Sequence, residues 1–278
     1  MGLKDKKICF VGAGNMANAI VGGLVQQGFP ADNIIASAPS TDHLAQIQTK
    51  WGVQTSTDNA ASVKQADVIV LSVKPQVLKQ VCEDLSANLT HQTLIISIAA
   101  GIELKSLNQW LGQNQAIVRC MPNTPAQVLK GASGLIANTH VSKEQQALSV
   151  ELFSGIGIVE WLADESQMHS VTALSGSGPA YIFLMIEAME AAAVKQGMAA
   201  DTARKLAAQT VLGAAQMVLN SDISPAQLKK NVMSPGGTTE RAIQVFEEND
   251  LAGVVDQAMQ AATDRSKELV EILGAEKS

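Results

Sequence analysis

Five short segments carry residues whose types and spacing suit chemistry. The first is Gly12, Ala13, Gly14, Asn15, Met16 and Ala17, which follows an apolar run at residues 8–11 and leads into a helix-like stretch at 19–27. A strand, a glycine turn and a helix in that order bind a dinucleotide. Gly12 permits the tight turn, Gly14 lets the backbone approach a pyrophosphate, and Ala17 keeps the helix against the strand. The helix N-terminus adds free N–H groups and partial positive charge, so Gly12, Gly14, Asn15 and Met16 are expected at the phosphates. An NAD-preferring unit places a carboxylate at the end of its second strand, where this chain has Ser37, Ala38, Pro39 and Ser40. With no acid to repel it, a 2′-phosphate can be received by Ser37, Ser40 and Thr41, which favours NADPH over NADH. The competing role for Ser40 and Thr41 is to cap the next helix.

Three of the other segments lie at expected strand ends or helix starts. Ser72, Val73, Lys74 and Pro75 close a third apolar run. Ligands of open parallel sheets sit outside the carboxyl ends of the strands, so Val73, Lys74 and Pro75 should border the cofactor, with Lys74 on a phosphate or ribose, or else solvated. Arg119, Cys120, Met121, Pro122, Asn123, Thr124 and Pro125 fall where the nicotinamide half belongs, and the two prolines hold the Asn123 amide and Thr124 hydroxyl. In the segment Ser234 to Thr239, Pro235 stops one helix, Gly236 and Gly237 free the backbone, and Thr238 and Thr239 stand before a helix running from Glu240. Consecutive N–H groups there converge on an anion, and a small carboxylate is the expected guest. The remaining segment, residues 173–181, is read as rich in turns, with Ser175, Gly176, Ser177, Gly178 and Pro179 in succession. Each segment alone reads as an ordinary turn, but together they indicate a site.

Positioning these residues requires a sheet. Candidate strands at 8–11, 34–37, 68–73, 94–98 and 116–120 alternate with helical stretches such as 44–51 and 104–111, which predicts an α/β Rossmann-type doubly wound domain over residues 1–164. Residues 133–137 and 156–161 are expected to add strands at the sheet edge. From 165 to 278 the strand pattern disappears and alanine-rich helical stretches follow at 181–196, 201–219 and 251–273, with Asp201 as a candidate N-cap and Pro225 opening a shorter helix. This second domain is expected to be all-helical. Its small and apolar residues, such as Ala188, Met189, Ala191, Ala192, Ala193 and Val194, cover much of one helix and predict a homodimer built by this domain.

Composition excludes several other classes. The 278 residues are 46% hydrophobic and 17% charged with net charge −6, which leaves no basic footprint for nucleic acid and too few aromatics for base stacking. The apolar runs are too short to span a membrane. Cys9, Cys82 and Cys120 are too scattered for a disulfide framework or a metal site, so a reduced, cytoplasmic setting is expected and no metal. His43, His91, His140 and His169 match neither zinc-ligand nor triad spacing.

Taken with the glycine turn, Val73 to Pro75, Arg119 to Pro125, Thr172 to Tyr181 and Ser234 to Thr239 resemble the pyrroline-5-carboxylate reductases over almost the whole chain. The resemblance implies reduction of Δ1-pyrroline-5-carboxylate, a small cyclic imino acid, to L-proline by NADPH, or more weakly NADH, with dimers that assemble into larger homo-oligomers. It places 2′-phosphate contacts near Ser37 and on Asn59, with Ala38 where some members have serine. It puts the substrate carboxylate on the amides of Gly236, Gly237 and Thr238 with Thr239, beside Ser234, and lines the pocket with Ser175, Gly176, Ser177 and Gly178. Thr239 would be the catalytic residue, bonding the ring nitrogen. A protonated cyclic imine already carries its charge, so hydride transfer needs alignment more than a strong acid or base. A β-hydroxyacid dehydrogenase shares the outline, but its helix after the glycine-rich segment carries a lysine, and here the first one downstream is Lys195. A non-catalytic dinucleotide-binding regulator would lose the second anion site, which is intact.

Overall fold

In the computed structural model, which describes residues 2–90, 93–112 and 114–274, short strands alternate with helices along the first two-thirds of the chain. The order is β1 (Ile8–Val11), α1 (Asn15–Gln26), β2 (Ile34–Ser37), α2 (Thr41–Trp51), β3 (Gln54–Ser56), α3 (Asn59–Val63), β4 (Val68–Leu71) and α4 (Pro75–Ser86). It continues through β5 (Leu94–Ser97), α5 (Leu104–Trp110), β6 (Ala116–Met121), β7 (Gly131–Ala137), α6 (Lys143–Ser154), β8 (Gly157–Trp161) and α7 (Gln167–Val171). The eight strands form one sheet in the order β3-β2-β1-β4-β5-β6-β7-β8. All pairs are parallel except β6 with β7, where Val118 faces Ala137 in antiparallel register.

Residues on the central strands alternate between two cores, as the two-residue period of a strand requires. Ile8, Phe10, Val68, Val70, Leu94 and Ile96 face a core completed by Ile20, Leu24 and Phe153. Cys9, Val11, Ile69, Leu71, Ile95 and Ile117 face another, completed by Leu78, Leu85 and Trp110. Both faces are thus covered, which explains why these strands read as unbroken apolar runs. Gly22 sits inside α1, where a Cβ would come 2.5 Å from the Trp51 ring; the lost helix propensity is the condition for α1 packing on α2.

The remaining helices are α8 (Gly178–Lys195), α9 (Ala200–Leu219), α10 (Pro225–Asn231), α11 (Thr238–Glu248) and α12 (Leu251–Gly274). The chain divides into two compact units: residues up to Ser177 together with those from Ala262 onward, and Gly178 to Ala261. The division expected at residue 164 therefore differs from the packing. Glu165 stays with the sheet because its carboxylate accepts from the Arg119 guanidinium and, at 2.7 Å, from the Leu104 N–H. The C-terminal half of α12 does so because Ser266 Oγ meets His169 Nδ1 at 3.0 Å and Leu273 packs on the second core.

In the helical unit, α9 packs on α8 through a two-pronged ion pair, Arg204 donating to Glu190 at 3.0 and 2.9 Å. Asp201 is not the N-cap of α9. That position is Ala199, and Asp201 lies in the first turn, where its carboxylate pairs with Lys205 at 2.7 Å. The only buried apolar residues between 178 and 261 are Ala203 and Ala207. No helix among the described residues is long and apolar enough to cross a membrane.

Candidate active site

The sheet gathers the expected cofactor residues at the carboxyl ends of its parallel strands. Gly12, Gly14, Asn15 and Met16 follow β1, Ser37 ends β2, Asn59 follows β3, Val73, Lys74 and Pro75 follow β4, and Asn123 follows β6. Strand order reverses between β1 and β4, the crevice where open α/β sheets bind ligands. Gly12 occupies φ +107°, and a Cβ there would stand 2.7 Å from the Ser72 backbone. The turn is pinned on both sides, with the Gly12 N–H donating to the Ser37 carbonyl at 2.7 Å and the Ser72 hydroxyl donating to the Gly12 carbonyl at 2.8 Å.

Gly14 is the N-cap of α1, exposed, with nothing within 4 Å of where a Cβ would be and no side chain capping the helix. The first amides of α1 consequently point into open space, as a pyrophosphate requires. These residues fit a dinucleotide.

At the ribose end the Ser37 side chain is fully buried, and its hydroxyl donates to Asn59 Oδ1 at 2.6 Å. That bond fixes the amide orientation: with Oδ1 occupied, the Asn59 NH₂ is left as the outward donor. Ser40 is the N-cap of α2 but makes no side-chain cap bond. Lys74 is exposed and is the N-cap of α4, with Pro75 at its first position.

Two of the predicted segments meet at the end of β6. The Asn123 amide donates to the Ser175 carbonyl at 3.0 Å and accepts from the Ala132 N–H at 2.9 Å, so it acts as a clamp between elements. Residues 172–176 are helical, which corrects the expectation of turns. After α7 the chain makes a π-helical stretch, Thr172–Gly176, closed by the Ser177 N–H donating to the Thr172 carbonyl at 2.8 Å. Such widened turns mark functional sites in many helices. Serine and glycine, poor helix formers, explain why the sequence reads as a loop. The Ser175 hydroxyl donates to the Val171 carbonyl at 3.1 Å. A Cβ on Gly176 would come 2.7 Å from Met121 Cε, so the glycine lets this stretch lie against β6.

Nearby side chains offer no nucleophile or general base. Burial pushes the Cys9 and Cys82 thiols up to about 12 and raises the Cys120 thiol well above its ordinary range, even though a bond to Ser133 partly opposes the shift. Burial, and then the Arg119 charge, lower the pKa of His169, whose ring is spent on Ser266. His43 and His140 are exposed, and His91 lies outside the described residues.

In the helical unit, the turn between α10 and α11 holds Ser234, Gly236, Gly237, Thr238 and Thr239. The helix begins at Thr238, two residues before the expected start, with Gly237 as N-cap. Gly236 is at φ +71°. The Gly237 N–H donates to the Ser234 carbonyl at 2.9 Å and the Gly236 N–H donates to the Glu240 carboxylate at 2.8 Å. Helix geometry leaves the amides of Thr238, Thr239 and Glu240 without intrahelical acceptors, so the open donors lie one to three residues beyond the glycines. Glu240 is the residue of this turn that sequence reading passed over, although its position three residues after Gly237 is the spacing of a capping box.

Comparisons with known proteins agree with this layout. A family model described as pyrroline-5-carboxylate reductase dimerisation matches residues 165–269, and one described as NADP oxidoreductase, coenzyme F420-dependent, matches residues 7–101. A pyrroline-5-carboxylate reductase of Pseudomonas aeruginosa is 51% identical over 98% of this chain and all of its own length. A solved pyrroline-5-carboxylate reductase from Coxiella burnetii superimposes with a TM-score of 0.91 at 45% identity, covering 95% of this chain and 98% of that one. The Plasmodium falciparum pyrroline carboxylate reductase, solved with NADP bound, gives 0.86 at 31% identity over 97% of this chain and all of that one.

Proposed function

The chain belongs to the pyrroline-5-carboxylate reductase family and reduces Δ1-pyrroline-5-carboxylate to proline with a nicotinamide dinucleotide; we propose that this dinucleotide is NADPH and that residues 234–239 hold the substrate. When bound, the cofactor supplies the hydride. The chain's own residues bind, orient and exclude. The α1 N-terminus with Gly12, Gly14, Asn15 and Met16 takes the pyrophosphate, the Asn59 NH₂ held by Ser37 takes the 2′-phosphate, and Val73, Lys74 and Pro75 border the ribose. Asn123 fixes the end of β6 against residues 175–177.

The observation that carries the substrate assignment is the acceptor-free first turn of α11. A carboxylate accepts from the Thr238 and Thr239 amides there, with Ser234, Gly236 and Gly237 shaping the cradle. The Thr239 hydroxyl then hydrogen-bonds the ring nitrogen. As hydride reaches the imine carbon, the C=N electron pair withdraws onto that nitrogen, which already holds its proton and leaves as the amine. No histidine relay is required. Mixing protein, NADPH and pyrroline-5-carboxylate should consume the absorbance of the reduced nicotinamide. Thr239→Ala should lower kcat/KM for the imine by about tenfold, the worth of one such hydrogen bond; an unchanged value removes Thr239 from the mechanism.

The family's dimerisation domain makes the chain a homo-oligomer, and we infer a dimer that assembles further. The three buried cysteines are free thiols, which supports a cytoplasmic setting.

A further inference from the structure

The substrate turn already contains a carboxylate. Glu240 Oε2 accepts from the Gly236 N–H at 2.8 Å, inside the turn whose amides receive an anion. Three other carboxylates of the helical unit are held in ion pairs, Glu190 with Arg204, Asp201 with Lys205 and Glu247 with Lys229, whereas Glu240 is held on a backbone amide. Among the described residues Glu240 takes part in no ion pair, and its carboxylate meets the amide of Gly236 at the positive end of α11. Those are the same two sources of attraction that a bound carboxylate would use.

We propose that Glu240 is a built-in competitor that sets the affinity of the turn for anionic substrate and product. The inference rests on the reading that residues 234–239 hold the substrate carboxylate. Before substrate arrives, the Glu240 carboxylate satisfies the Gly236 amide and keeps the turn in its binding shape. When a second carboxylate settles on the Thr238 and Thr239 amides, two like charges share one helix N-terminus. The bound anion is repelled and product leaves more readily. A residue that only capped the helix would do the reverse, since its loss would disorder the turn and weaken binding.

Glu240→Gln tests this, because the amide oxygen still accepts from Gly236 while the charge is gone. The variant should show a KM for pyrroline-5-carboxylate about two- to fivefold lower, and the same tightening for the product proline in a direct titration, the size expected of one like-charge contact at a half-exposed site. Prolinamide, a cation that lacks the carboxylate, should bind the variant no more tightly than wild type. At about 1 M salt, where the screening length is about 3 Å, the difference between variant and wild type should close. A KM that stays the same or rises in Glu240→Gln overturns the proposal and leaves Glu240 a cap. Thr239→Ala separates the two failures: if it weakens proline binding while Glu240→Gln does not tighten it, only the competitor is wrong. If neither variant moves proline binding, the carboxylate site lies elsewhere and both fall. Should Glu240→Gln fold poorly, the salt dependence of the wild-type KM gives an independent answer: a KM that does not fall as salt rises overturns the proposal.

Discussion

We propose that cofactor choice turns on a pair of side chains too small to be conspicuous. Ser37 and Asn59 lie 22 residues apart, yet a bond of 2.6 Å makes them one unit, in which the buried serine decides which way the amide faces. Asn59→Ala should raise the KM for NADPH about tenfold and leave that for NADH nearly unchanged, since only the 2′-phosphate loses a donor. Ser37→Ala, which frees the amide to rotate, should act in the same direction but less. Steady-state kinetics with both cofactors decides this, and equal effects on both would mean the pair serves the fold alone. The absence of an acid at the end of β2 is legible in the sequence. The bond between the two residues is not, because it depends on β3 bringing α3 beside that strand end, and Gln54 to Ser56 is too short and polar to announce itself as a strand.

Elements are positioned here by clamps at their ends. Asn123 joins the exit of β6 to the π-helical stretch and to Ala132 on β7 with both ends of a single amide, and it is 9% exposed. Asn123→Ala should destabilise the protein by about 1–2 kcal/mol, because it leaves a part-buried carbonyl and a part-buried N–H without their partner together. Thermal unfolding should show a Tm lower by several degrees; a Tm equal to wild type would mean water takes over both bonds. Parallel strands such as Val68–Leu71 and Leu94–Ser97 are easily read, since burial on both faces gives continuous β-branched runs. The helical nature of residues 172–176 is hidden for the opposite reason. Tertiary contacts with Met121 and Asn123 override the weak helix propensity of serine and glycine there. The start of α11 is misjudged by two residues because Gly237, a permissive cap, carries no side chain to mark the boundary.

At the scale of the molecule, the helical unit cannot be accounted for by one chain. Ala203 and Ala207 are its only buried apolar residues, while Phe183 is 64%, Leu184 66% and Leu206 55% exposed. Surfaces of that kind are covered by association, and the dimerisation model spans them. Phe183→Glu should shift the protein toward monomer in light scattering and lower activity with it; an unchanged mass would place the subunit contact on another face. The apolar circumference of α8 makes this legible in the sequence, but the boundary between units does not follow composition, since α12 is uniformly helical while its two halves belong to different units. That division has a topological consequence. The helical unit is an insertion, entered after Ser177 and left before Ala262, and the nucleotide-binding unit is finished only by residues from Ala262 onward. Synthesis must therefore pass the whole of the inserted unit before either the His169–Ser266 contact or the seat of Leu273 can form. Recombination that exchanged the two functions would need paired breakpoints, because a single crossover would leave one half without its closing helix.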